Sequence, residues 1–173
     1  VKGGTGSGDV NERASISIFQ GLRDAGARIS SVEWIQDHDA RYKRARKAWK
    51  KEILDESGGT DTPDFFNIYS AHPFRIPDGR KITREELRGV DTAVYVISRI
   101  AGENADRLME SGDYRLSGHE REDLKILCAE CENVIVILNA GGQIDVTDLA
   151  EDPRIKALLF IGQPGMEGGH ALA

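Results

Sequence analysis

Glu103 stands in the run Ile100-Ala101-Gly102-Glu103-Asn104-Ala105-Asp106-Arg107, directly after an apolar segment that reads as a buried strand. A carboxylate just past such a strand, with Gly102 before it, can project into a cleft at the edge of a sheet. In a partly desolvated cleft a glutamate holds its proton near neutral pH and can act as a general acid. Asp106 and Arg107 are placed to brace the loop, by pairing with each other or with neighbours. Chemistry alone leaves a plainer reading beside this one, in which Glu103 is one more solvated acid among 29.

A second candidate is the loop Gly3-Gly4-Thr5-Gly6-Ser7-Gly8. Backbone amides at a helix start attract phosphate, which invites a nucleotide-binding reading. The loop fails both standard patterns. A P-loop needs lysine and then Ser or Thr after its final glycine, whereas Asp9 and Val10 follow here. Neither Gly4 nor Gly6 gives the G-x-G-x-x-G spacing of dinucleotide sites, and Asp9 would repel phosphate. A structural tight turn and a close approach to a neutral ligand such as a sugar both fit, with Ser7 and then Thr5 as hydrogen-bonding side chains.

Cys128 and Cys131 form the sequence CAEC at the end of a predicted helix, not at the helix N-terminus where a dipole would activate a redox thiol. No second cysteine pair or histidine cluster completes a zinc site. Two reduced, partly buried structural thiols are expected, which suits a reducing, cytoplasmic compartment. The basic run Arg41 to Lys51 is interleaved with Tyr42, Ala45, Ala48 and Trp49 and flanked by acids. It reads as a solvated helix face, with a basic docking surface for another domain as the functional alternative.

These residues need a scaffold. Ala93 to Ser98, Val134 to Asn139 and Ala157 to Gly162 are apolar runs without polar alternation, as expected of parallel strands covered on both faces. Between the first two, Ser117 and Glu120 make a capping box ahead of Leu124, Leu127, Cys128 and Cys131 at helical spacing. Strand, helix and strand make a βαβ unit. The segment Ile144 to Pro153 predicts a short helix or turn, and Met166 onward another helix. Asn11 to Ala25 predicts an amphipathic helix stopped by Gly26, and Ser31 to Leu54 a long charged one. Residues 55–82, rich in proline and glycine, read as an irregular excursion. Its Phe65, Phe66, Tyr69 and Phe74 are either stacking platforms or packing that holds the excursion down. Thr83 and Glu86 pair as the start of a further helical turn.

In an open parallel sheet, ligands sit beyond the carboxyl ends of the strands. The glycine loop, residues 99–113, Asn139-Ala140-Gly141-Gly142 and Gln163-Pro164-Gly165 share that edge. A strand should precede the glycine loop, so the first strand is expected to be missing or truncated. The formal charge of −6 over 173 residues argues against nucleic acid as a partner. No apolar run approaches the roughly 20 residues that span a bilayer, so no membrane partner is expected.

Taken in order, VKGGTGSGDVNERASISIFQGL, AVYVISRIAGENADR, GDYRLSGHEREDLKIL, VIVILNAGGQIDV and ALLFIGQPGMEGGHALA resemble successive segments of the α/β sandwich domain of family-3 glycoside hydrolases of the β-glucosidase type. The match covers nearly the whole chain apart from the middle excursion. The resemblance implies a three-layer α/β/α sandwich with a mostly parallel sheet, a single domain over 1–173, and a separate catalytic barrel outside this chain. It further implies a retaining exo-glycosidase acting on a β-linked glucoside or oligosaccharide, with no cofactor and no metal. Glu103 would be the general acid/base, and Ser7 with Thr5 would contact sugar hydroxyls. Gly102, Asp106 and Arg107 would support the loop, and the nucleophile would be an aspartate of the barrel. Many relatives read GEG where this chain has Gly102-Glu103-Asn104. A non-catalytic sugar-binding or assembly domain of the same fold is the alternative, and a phosphate- or nucleotide-binding domain the third reading. Without the barrel, the chain alone is expected to be inactive.

Overall fold

The computed structural model describes residues 13–101 and 107–173. The chain divides into two compact units, one built from the residues up to Ser31 together with Lys81–Ala173, the other from Val32–Arg80.

The first unit is organised on a parallel sheet of β1 (Thr92–Arg99), β2 (Asn133–Ala140) and β3 (Ile155–Phe160), in that spatial order. β1 and β2 run in register from Thr92↔Asn133 to Arg99↔Ala140, and the β2–β3 pairing shifts once at Val134/Ile135. The third strand begins earlier than expected, at Ile155, and ends at Phe160; past it the Ile161 amide still donates to the Leu138 carbonyl at 3.0 Å. One face of the sheet carries Ala93, Ile97, Val134, Val136 and Leu138, which pack with Leu124 and Leu127 of α4 (Gly118–Glu130). Burial on both faces, expected of all the strands, holds for central β2 only. Among the described residues each edge strand has a strand neighbour on one side only, and Val94 and Leu159 are more than a third exposed.

The capping box forms as predicted. Ser117 Oγ accepts from the Glu120 amide at 3.0 Å, and Glu120 Oε2 accepts from the Ser117 amide at 2.8 Å. Cys131 is buried at the C-cap of α4 and Cys128 lies half-buried; both are free, and burial, more than the nearby carboxylates, pushes both thiols up. Thr83 and Glu86 do bond, but residues 84–89 form turns and not a helix.

The first helix is shorter than its periodicity suggests. α1 spans Ile18–Asp24 with Ser17 as N-cap, its Oγ accepting from the Gln20 amide. The residues just before it are extended because Ile16 pairs through its backbone with Met166 (2.7 Å) and Gly169 (3.1 Å). Gly26 ends the helix with φ +96°, and the Gly26→Arg23 and Ala27→Leu22 bonds make a Schellman closure. The last helix, α6 (Gly168–Leu172), starts after a turn at Met166 and crosses α1 at very short range: a Cβ on Gly21 would lie 1.9 Å from the Gly169 carbonyl oxygen. α5 (Thr147–Glu151) is the short helix expected before β3.

In the second unit, α2 runs Val32–Ser57, ending three residues later than predicted, and the excursion contains a helix of its own, α3 (Phe65–Ala71). Residues 72–80 have no regular structure, yet they are well anchored on α2. Trp49 Nε1 donates to the His72 carbonyl (2.6 Å) and Trp34 Nε1 to the Arg80 carbonyl (2.9 Å). Phe74 is buried between Tyr42 and Trp49, and Tyr69 packs on Trp49 and Phe65. Packing therefore explains three of the four aromatics singled out in the sequence, while Phe66 is 76% exposed. On the outer side of α2, Arg41 pairs with Asp37 (2.5 Å), Lys43 with Asp39 (2.6 Å) and Lys51 with Asp55, as a solvated charged face should. Arg46 instead lies over Trp49 and Phe74, 4.6 and 5.0 Å from the ring centroids.

Candidate functional site

The carboxyl ends of the three strands define the edge where the sequence directs attention. Asn139, near the end of β2, ties its neighbours together. Ser98 Oγ on β1 lies 3.4 Å from Asn139 Oδ1, and Asn139 Nδ2 donates to the carbonyl of Gly162 beyond β3 (2.7 Å). Immediately after β2 comes Gly141, where a side chain has no room. A Cβ there would lie 2.4 Å from Ala101 Cβ and 2.8 Å from the Gln163 amide group, so the loops after all three strands converge on this one position.

Arg99, the last residue of β1, points into the interior and is 7% exposed. A buried guanidinium needs a carboxylate and further acceptors. Glu120 supplies the first through two bonds of 2.7 Å, from Nη1 to Oε1 and from Nη2 to Oε2. The Ser98 carbonyl takes a further bond from Nη1 (3.0 Å), and the Asp113 carbonyl one from Nε (2.9 Å). Glu120 thus caps α4 and neutralises Arg99 with the same carboxylate.

Asp113 also binds Arg107 and Leu108. Its Oδ1 accepts from Arg107 Nη1 at 2.7 Å and its Oδ2 from the Leu108 amide at 2.8 Å. Around it, residues 108–115 are cross-braced by backbone bonds, among them Tyr114→Leu108, Arg115→Glu110 and Gly112→Arg115. Two donors at this edge lack hydrogen-bond partners among the described residues: Arg107 Nη2 and Gln163 Nε2, both buried. They flank the Gly141-Gly142 turn, since Gln163 crowds Gly141 and Arg107 Nε lies 3.7 Å from the Cβ position of Gly142.

Of the residues predicted from sequence, Arg107 is placed at this edge, where it pairs with Asp113. Thr5, Ser7, Gly102, Glu103 and Asp106 lie outside the described residues. Arg99, Asp113 and Asn139 fall in segments that the sequence assigns to this edge, but their bonding there, and the part of Glu120 in it, went unrecognised. One signal was available for Arg99: an arginine closing an apolar strand must find a buried carboxylate, and Glu120 was already marked as a capping residue.

The comparisons agree with this architecture. The chain matches the glycosyl hydrolase family 3 C-terminal domain over residues 1–173. It is 29% identical over 180 residues to beta-glucosidase A of Butyrivibrio fibrisolvens, an alignment that takes in 100% of this chain and 21% of that protein. Identity to the beta-glucosidase of Ruminococcus albus is 26% over 176 residues, covering 99% of this chain and 17% of that one. Among solved structures, beta-glucosidase 3B from Thermotoga neapolitana in complex with alpha-D-glucose superposes with a TM-score of 0.66 at 28% identity, over 99% of this chain and 22% of that one. The chain thus spans about a fifth of the length of the relatives it matches. No helix among the described residues is long and apolar enough to cross a membrane. By the match along its whole length, this chain belongs to the C-terminal domain family of family-3 glycosyl hydrolases.

Proposed function

We propose that this chain is the sandwich domain of a longer retaining, exo-acting β-glucosidase-type hydrolase, to which it supplies the general acid/base and part of the sugar site. The observation that carries the reading is the braced edge itself. In a chain of this family, the segment with Glu103 leaves β1 at the sheet's carboxyl edge and rejoins a fixed frame at Arg107. The relatives matched over the full chain are named beta-glucosidases, and one is seen with glucose, which favours a β-linked glucoside as substrate.

In this reading Glu103 protonates the departing glycosidic oxygen as the bond to the anomeric carbon breaks. The nucleophile, a carboxylate of the barrel outside this chain, takes up the sugar as a glycosyl-enzyme. Glu103, now ionised, removes a proton from the water that releases the sugar with retained configuration. The chemistry asks for two carboxyl groups roughly 5–5.5 Å apart, on either side of the scissile bond. Ser7, with Thr5 behind it, contacts the sugar hydroxyls. The two free thiols favour a cytoplasmic location.

The test is Glu103→Ala in the longer protein. Loss of kcat/KM confined to substrates with poor leaving groups supports the acid role, and an unchanged kcat/KM on them removes it. The domain by itself, lacking the nucleophile, should show no turnover of an aryl β-glucoside.

A further inference from the structure

We infer that Asp113 is a positioning residue for the acid/base, fixing both ends of the chain segment that carries Glu103. The inference rests on the assignment of Glu103 above and extends it to a residue outside the loop.

Three bonds converge on Asp113. On the entry side, Arg99 Nε donates to its carbonyl at 2.9 Å. On the exit side, Arg107 Nη1 and the Leu108 amide donate to its two carboxylate oxygens at 2.7 and 2.8 Å. Arg99 is in turn locked by Glu120, itself fixed at the start of α4. The sequence Glu120–Arg99–Asp113–Arg107 therefore connects the helix cap to both ends of the loop. The Asp113 and Arg107 side chains are less than a fifth exposed, which spares their ion pair much of the solvent screening felt at the surface.

Among the described residues this chain of contacts has two cations and two anions, whose charges balance. A neutral frame exerts little net field on a neighbouring carboxyl. Its effect is geometric: with the ends held, fewer conformations are open to the intervening segment. Placement matters because proton transfer to the leaving oxygen needs hydrogen-bond reach, and a misplacement of about 1 Å can cost on the order of 100-fold.

Asp113→Asn and Arg107→Met in the longer protein test this, because they change the cluster's charge in opposite directions. The readout is kcat/KM on alkyl and dinitrophenyl β-glucosides, with the pH profile, and Glu103→Ala measured alongside. A positioning role lowers kcat/KM on the alkyl glucoside about 10- to 100-fold in both variants. The dinitrophenyl substrate, whose departure needs no acid, then stays within about threefold and also reports that the variants are folded. Arg107→Lys, which keeps the charge and one donor, should recover part of the loss. Three results overturn the inference: equal losses on both substrates, no loss on either, or a basic pH limb that moves down in one variant and up in the other with the plateau unchanged. If Glu103→Ala shows the selective loss and the Asp113 variant does not, positioning by Asp113 fails alone. If Glu103→Ala itself lacks the selective loss, the acid/base assignment fails, and this inference with it.

Discussion

Arg99 and Glu120 meet through two parallel bonds of 2.7 Å, joining the last residue of β1 to the first turn of α4 inside the protein. The pair fixes where the chain leaves the sheet, and it lets one carboxylate serve both a helix cap and a buried cation. Removing either partner strands the other.

Glu120→Ala should therefore destabilise the domain by about 3–5 kcal/mol, the range for an uncompensated buried charge. Urea denaturation of the purified domain measures it. The double variant Arg99→Met/Glu120→Leu should recover most of the loss, because it removes both charges and leaves apolar groups of similar size. A double variant as unstable as the single one would mean that shape, and not charge, dominates here.

Gly141→Ala is predicted to cost about 1–3 kcal/mol, as an overpacked site does. The added methyl would meet Ala101 Cβ at 2.4 Å. Gln163 can swing away, but Ala101 can yield only by moving its backbone, just ahead of the segment with Glu103. In the longer enzyme the same change should lower turnover on poor leaving groups, which kinetics on the variant will show.

The contact between α1 and α6 should be pH-dependent. His170 bonds to Asp24 Oδ2 (3.3 Å) and Glu167 Oε2 (2.9 Å), and these carboxylates, Asp24 first, raise its pKa above the usual 6.5. A raised folded-state value means that the stabilisation is complete below the unfolded pKa and lost as pH rises through the folded one. Thermal unfolding of wild type and His170→Gln should differ most at about pH 6 and converge by about pH 9. A constant difference across that range would assign the effect of His170 to packing.

Much of the scaffold was legible in the sequence because its signals are local. The apolar runs gave β1 and β2 within a residue at either end, and Ser117 with Glu120 gave the start of α4. What the sequence hid depends on contacts between distant segments. Among the described residues the first helix starts only at Ile18, because Ile16 is held by Met166 and Gly169, far away in the chain. The middle segment reads as irregular from its prolines and glycines, yet Trp34, Trp49 and Phe74 give it an ordered aromatic interior. At the sheet edge, the family resemblance pointed to Arg107 as a support, whereas its partner Asp113 emerges only once the turn of residues 108–115 is folded.

The central claim is that Glu103 is the acid/base of a retaining β-glucosidase-type enzyme, and azide rescue tests it most directly. In the longer protein, Glu103→Ala should lose roughly 100- to 10,000-fold in turnover. Azide should restore activity on activated aryl glucosides by attacking the glycosyl-enzyme from the face that the missing carboxylate vacates, yielding a β-glucosyl azide. Formation of that product is the predicted result. A variant that keeps wild-type turnover, or one whose lost activity azide does not restore, would contradict the assignment.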